Sequence, residues 1–198
     1  MEIEAHLPEM APSAQLSADP AGQVGDSASQ IMQILIDLTH CSAFLLSGWD
    51  PMSKSHRHHT LAADGYTGAA VAHINDEYVR DNPGFALSHR RDPHSMRWVD
   101  YERDWELPFA ETYTAQKFLL PAGYREGSTM CLRLGNGRYV GAVHMSWTAP
   151  ALATDDRRQI TERFAPIMAG VCDILRTPRR CFEPGRLRAH LGINRIGA

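Results

Sequence analysis

Between Tyr78 and Trp105 the sequence interleaves aromatic rings with acids and prolines: Tyr78, Asp81 and Pro83, then Pro93, Trp98, Asp100, Tyr101 and Trp105. Rings give a small-molecule pocket its apolar walls, and one or two polar groups fix the ligand's orientation. Trp98, Tyr78, Tyr113 and Phe118 are expected to supply contact area. Asp81 or Asp100 is expected to accept a hydrogen bond. The alternative use of the same residues is structural, with Trp98 and Trp105 capping a sheet. Histidine offers a second chemistry. His56-Arg57-His58-His59, with Asp50 and His73 nearby in sequence, has the residue types of a transition-metal site. Such a site needs a fixed geometry and outer partners that orient the ligands. A histidine run beside Lys54 and Arg57 in a polar stretch reads instead as a solvated loop, and no metal is expected. His144 stands alone in the middle of a strand, as a ligand contact or as a satisfied core histidine. No nucleophile elbow, phosphate loop or His-Glu-x-x-His occurs, so no catalytic residue is expected.

The elements that must position these groups are legible in part. Ser27 is a plausible N-cap for a helix to about Thr39, with Ile31, Ile34, Leu35 and Leu38 at helical spacing. Ala43 to Trp49 reads as a strand, and a short second strand is expected near Thr60 to Ala63. Gly65 to Gly68 is a turn, Ala69 to Arg80 is helical, and Pro83-Gly84 breaks it. Phe85 to Trp105 resists assignment. Leu107 to Thr114 reads as a short helix and Lys117 to Leu120 as a strand. Ser128 to Leu134 then alternates, with Thr129, Cys131 and Arg133 on one face and Met130, Leu132 and Leu134 on the other. After the Gly135-Asn136-Gly137 turn, Val140, Ala142, His144 and Ser146 are expected on one face. Tyr139, Gly141, Val143, Met145 and Trp147 would take the opposite face. Thr154 caps a last helix from Asp155 to Arg176, with an apolar stripe of Ile160, Phe164, Ile167, Met168, Val171 and Leu175. Pro166 should bend it.

This strand, turn, strand and capped helix resembles the C-terminal half of a GAF domain. In that family a glycine-led strand, a turn, a second Gly-containing apolar strand and a Thr-x-x-Asp/Glu helix follow in this order. The resemblance implies an α/β, GAF-like and PAS-related domain: a central antiparallel sheet flanked by helices on both sides. Tyr78, Asp81, Pro83, Pro93 and Trp98 are similar to the ligand-binding region of LuxR-type sensor domains, a related fold. Asn82 between the acid and the proline, and a different spacing, make this a kinship of architecture and not of ligand. The family also contains haem-binding domains held by one histidine and a methionine sulfoxide reductase branch with clustered cysteines. Cys41, Cys131, Cys172 and Cys181 here lie in separate elements, and no cofactor is expected.

At 198 residues and a net charge of −3, the chain has room for one domain with tails and gives no electrostatic argument for nucleic acid. Residues 1–26 read as a disordered tail, 27–177 as the sensor domain and 178–198 as a basic tail or linker. That last stretch holds Arg179, Arg180, Arg186, Arg188 and Arg195 against Glu183 alone. It has no base-reading element, so contact with DNA is expected only through an attached or partner domain. No secretory signal or membrane span is evident, and a cytoplasmic location is expected. The expected function is non-catalytic sensing of a small molecule, with homodimerisation through the terminal helices and a transcriptional output. The alternatives are a ligand-free interaction module, or a redox- or metal-dependent enzyme.

Overall fold

The structure, a computed structural model, describes residues 20–49, 57–90 and 94–174. Five antiparallel strands form one sheet in the order β2-β1-β5-β4-β3. They are β1 (Ala43–Trp49), β2 (His58–Asp64), β3 (Met96–Arg97), β4 (Glu126–Arg133) and β5 (Tyr139–Trp147). Helices α1 (Pro20–Thr39) and α6 (Asp155–Ile174) cover one face. The other face carries α2 (Gly68–His73), α3 (Val79–Asp81), α4 (Pro83–Arg90) and α5 (Trp98–Trp105). This is the GAF-like arrangement, an antiparallel sheet with helices on both sides.

The first face buries the apolar phase of the strands. Phe44, Leu46, Met130, Leu132, Val143 and Met145 meet Ala28, Leu35 and Met168 of the two long helices. Thr154 starts α6 by accepting from Arg157 N at 3.4 Å. The helix continues through Pro166. Ile167 lies 55% exposed, so its place is outside the buried stripe, while Met168 and Val171 occupy it. On α1, Ile31 and Leu35 are buried and Ile34 and Leu38 face outward, each 46% exposed. A stripe narrower than the apolar pattern is what one sheet face accommodates. Because α1 begins at Pro20, Ser27 sits inside the helix and does not cap it.

Several local readings are corrected on the second face. Lys117 to Leu120 is not a strand: Ala115–Leu119 is a single π-helical turn. Leu107 to Thr114 is not one helix: it holds the short turn Phe109–Glu111, and Tyr113 and Thr114 already begin the helical stretch that runs into 115–119. A brief apolar run has no periodicity of its own to separate strand from helix. The expected helix 69–80 is present, but its middle, Ile74–Tyr78, widens into a π-turn between α2 and α3. Such insertions gather at functional sites. Asn75 ties this turn to the sheet, accepting from Ser47 Oγ at 2.6 Å and donating to Thr60 Oγ1 at 2.8 Å.

The β4–β5 hairpin turns at Gly137 (φ +78°), a conformation glycine adopts at no steric cost. Alternation along β5 holds from Gly141 to Trp147. It reverses at the hairpin end because the register shifts: Leu132 faces Gly141 and Arg133 faces Tyr139, leaving Val140 as the extra residue of a bulge. Val140 therefore joins the α1/α6 core, and Tyr139 joins the side of His144, opposite to the simple alternation.

Candidate functional site

The second face is buried but not dry. In the strand register Thr129 of β4 and Leu45 of β1 flank His144 of β5. His144 is 3% exposed, and its Nδ1 hydrogen-bonds with Thr129 Oγ1 at 3.1 Å. The same hydroxyl meets Tyr78 OH at 3.1 Å. Tyr78 comes from the end of the π-turn and sets its ring edge-on to His144, centroids 5.6 Å apart. One turn of strand away, Ser146 Oγ and Tyr66 OH hydrogen-bond at 2.7 Å. These groups line a cavity of about 20 Å³, with Trp98 and Phe109 also in its wall. That is room for about one water.

Burial pushes the imidazolium of His144 down to a pKa of about 3, with the neighbouring His58 a further cause. His144 is therefore neutral at physiological pH, and its Nε2 has no hydrogen-bond partner. His58 is its counterpart at the edge of the sheet. It is 6% exposed, bonded through Nε2 to Tyr139 OH at 3.1 Å, with Nδ1 unpartnered. Burial, then the charges of His89 and His59, lower its pKa to about 3 as well. The expectation of a solvated histidine run is thus corrected for His58, which strand alternation turns inward while His59 stays exposed. His56 lies outside the described residues. Among the described residues no group of three His, Cys, Asp or Glu side chains has the placement to hold a metal ion.

The seven residues anticipated for the ligand separate into three groups. Tyr78, Trp98 and His144 line the cavity. Trp98 packs closely on β4 where Gly127 has no side chain: a Cβ there would stand 2.6 Å from the indole Nε1. Its backbone N donates to Glu126 Oε1 at 2.7 Å, and its ring stacks on Phe109 at 5.1 Å. Phe118 stands behind the cavity wall, stacked at 4.2 Å on His73, whose Nε2 meets Thr114 Oγ1 at 3.0 Å. Tyr113 is 63% exposed. The two acids point elsewhere. Asp81 is at the surface, paired with Arg80 at 2.8 Å. Asp100 is buried at the start of α5, accepting from Arg97 N at 3.0 Å, with Arg103 Nη2 3.0 Å away. It organises arginines and a helix end, not the cavity.

Sequence reasoning missed Thr129, Ser146, Tyr66, Thr114, His58 and Phe85. A signal existed for two of them. Thr129 and Ser146 share the strand phase of His144, and three polar groups on one inner face mark a lined interior. Phe85 came from a segment whose pattern gave no element, and Thr114 from one read as a short helix with no role at a site.

Cys131 is buried on this second side, while Cys41 and Cys172 are in the α1/α6 core across the sheet. No helix of the described residues is long and apolar enough to cross a membrane.

The architecture defines the class. The chain has the fold of the GAF domain of PixJ from Thermosynechococcus elongatus, with TM-score 0.56 and 13% identity over 85% of this chain and 95% of that one. A GAF domain/HD domain protein from Geobacter sulfurreducens matches with TM-score 0.51 and 13% identity, over 79% and 95%. So does a type II free methionine-R-sulfoxide reductase from Thermoplasma acidophilum, with TM-score 0.55 and 10% identity, over 78% and 95%. No family model matches the chain, and no curated protein matches it in sequence. These likenesses establish the fold alone, since one fold serves unrelated activities.

Proposed function

We propose that this chain is a signal-sensing domain that binds a small molecule between the sheet and the α2–α5 side, without catalysis. The observation that carries this reading is the polar lining of a buried space: His144, Thr129, Tyr78, Ser146 and Tyr66 around one cavity, with a neutral ring nitrogen left unpartnered. A core built only for stability would place apolar groups there, because an unpaired buried polar atom costs about 1–3 kcal/mol. The fold shared with the blue-light-absorbing GAF domain of PixJ supports a signalling role. Ligand binding would shift α2–α5, and the output, transcriptional in our reading, would pass to an attached or partner domain through α1 and α6. A ligand shifts such an equilibrium only by its different affinity for the two states.

The test is a thermal-shift screen of the full chain against a metabolite library, repeated with His144→Leu. Ligand bound only to the folded state raises Tm by mass action. The reading requires a saturable shift with one chemical class that His144→Leu removes. A ligand whose shift survives both His144→Leu and Thr129→Val would overturn this location for the site.

A second reading, an interaction module, is favoured by the outward Ile34, Leu38 and Ile167 of the two terminal helices and by the small size of the cavity. It makes homodimerisation through α1 and α6 the function in itself. Light scattering of Ile34→Asp and Ile167→Asp, against the unaltered chain, reads whether these residues hold copies together.

A further inference from the structure

Phe85, on α4, occupies an unusual position. Its ring is 5% exposed and touches four other rings: His89 at 4.8 Å between centroids, Tyr78 at 5.7 Å, His58 at 5.8 Å and His144 at 6.4 Å. Two of these, His58 and His144, are buried imidazoles that each use one nitrogen within the fold and leave the other without a partner. A phenyl ring can satisfy neither. Buried polar atoms normally find partners, and each exception asks for an explanation. On its outer side Phe85 forms part of a groove of about 380 Å³, open to solvent, with Asn82, His89 and Arg90. On its inner side stand Tyr78 and His144, which line the small cavity. Phe85 is thus a wall of the groove and, through its ring contacts with Tyr78 and His144, a neighbour of two residues of the cavity wall.

One residue stands between the helix that carries Phe85 and the helix before it. Asn82 is extended (φ −79°, ψ 126°), one non-helical residue between α3 and α4. Its side chain holds the junction from both directions, accepting from Gly84 N at 2.8 Å and donating to Thr114 Oγ1 at 3.1 Å. Further along α4, Ser88 Oγ meets Tyr101 OH at 2.6 Å. Phe85 N and Ala86 N also donate to Asn82 O at 3.1 and 3.3 Å, and Arg133 Nη2 meets His89 Nδ1 at 3.2 Å; polar attachments of this kind can break and reform.

We infer that Phe85 is a stopper in a ring-sized site for a flat heteroaromatic ligand with polar atoms on opposite edges, held between His58 Nδ1 and His144 Nε2. The inference rests on the sensing reading above and names its ligand class. The ligand enters by the groove as α4 swings, takes the place of the phenyl ring between the imidazoles, and supplies the two hydrogen bonds that the phenyl cannot. Tyr78 and His89 remain as apolar and edge-on walls.

Phe85→Ala opens the site for a probe. We would titrate the histidine-¹⁵N-labelled full chain with 4-pyridone, which carries N–H and C=O on opposite edges, and with benzene. The expected result is saturable 4-pyridone binding to Phe85→Ala, at least tenfold tighter than benzene and tenfold tighter than to the unaltered chain. The His58 and His144 imidazole signals should move, and adding His144→Leu should erase the preference. Benzene binding as tightly, or a folded Phe85→Ala binding neither, overturns the inference. Should Phe85→Ala not fold, hydrogen exchange in the unaltered chain decides. Amides of α4 must exchange at least tenfold faster than those of α5, a helix of equal length on the same face; equal protection overturns the stopper. The two readings fail separately. A natural ligand indifferent to Phe85, His58 and His144 would keep sensing and sink this site. A 4-pyridone preference with no metabolite response would keep the site and sink sensing.

Discussion

The two faces of the sheet are equally buried and differently made. Against α1 and α6 the strands place Phe44, Leu46, Met130, Leu132 and Val143, side chains with no polar atom to satisfy. Against α2–α5 the same strands place Ser47, Thr129, His144 and Ser146, and the covering segments add His73, Tyr78, Ser88 and Thr114. The first face gains free energy from every group it removes from water, at about 25 cal/mol per Å² of apolar surface. The second gains less and must find a partner for each buried polar atom. Among its atoms without a hydrogen-bond partner are His58 Nδ1 and His144 Nε2, whose rings both lie beside Phe85.

Acid is the strongest way to break the contrast. Both histidines stay neutral in the fold down to about pH 3, while the unfolded chain titrates near 6.5. Between those values the unfolded state binds more protons, so stability rises with pH and is lost on acidification. The slope is about 1.4 kcal/mol per pH unit for each histidine, roughly 4 kcal/mol for the two from pH 7 to pH 5. Urea titrations across this range should show it, and His144→Leu should halve the slope. A flat profile would mean that neither ring is held neutral.

Truncating the dry face comes next. Leu46→Ala should cost about 3 kcal/mol in urea unfolding at pH 7.5, from lost burial and the cavity left behind. Asp100→Asn should cost roughly 2–3 kcal/mol, because Arg97 and Arg103 lose the buried charge they converge on. It should leave any ligand response of the folded chain in place. His144→Leu sharpens the comparison from the other side. Equally buried, it should change stability at pH 7.5 by less than about 1 kcal/mol, since an unsatisfied polar atom leaves with the ring. A loss as large as that of Leu46→Ala would make the second face an ordinary core. Asp81→Ala should be smallest, within about 0.5 kcal/mol, its ion pair with Arg80 being exposed.

What the sequence disclosed follows the same division. The β4–β5 hairpin, α6 and the GAF-like order were readable because regular alternation and a capped apolar stripe are local signals. Tyr78, Trp98 and His144 were singled out by residue type, and they stand around one cavity. Asp81 and Asp100 were singled out on the same grounds, yet an acid's destination depends on which arginine the fold brings to it, as Arg97 and Arg103 come to Asp100. The region from Phe85 to Trp105 was unreadable for a related reason. Its helices α4 and α5 have eight residues each, too short to stand without the sheet beneath them. Their identity is set by tertiary contacts, such as Tyr101 with Ser88 and Trp98 with Phe109.

Val140 carries a consequence for anyone tracing the ancestry of this chain. The bulge changes the phase of the strand, so Tyr139 reaches His58 only because one additional residue separates it from Gly141. A relative with an unbroken strand there would be one residue shorter. Matched to this chain without a gap at Val140, it would show an unrelated side chain opposite Tyr139, and the kinship of the two chambers would go unseen. Inheritance at this end of the sheet has to be followed by face and not by position in the line of letters.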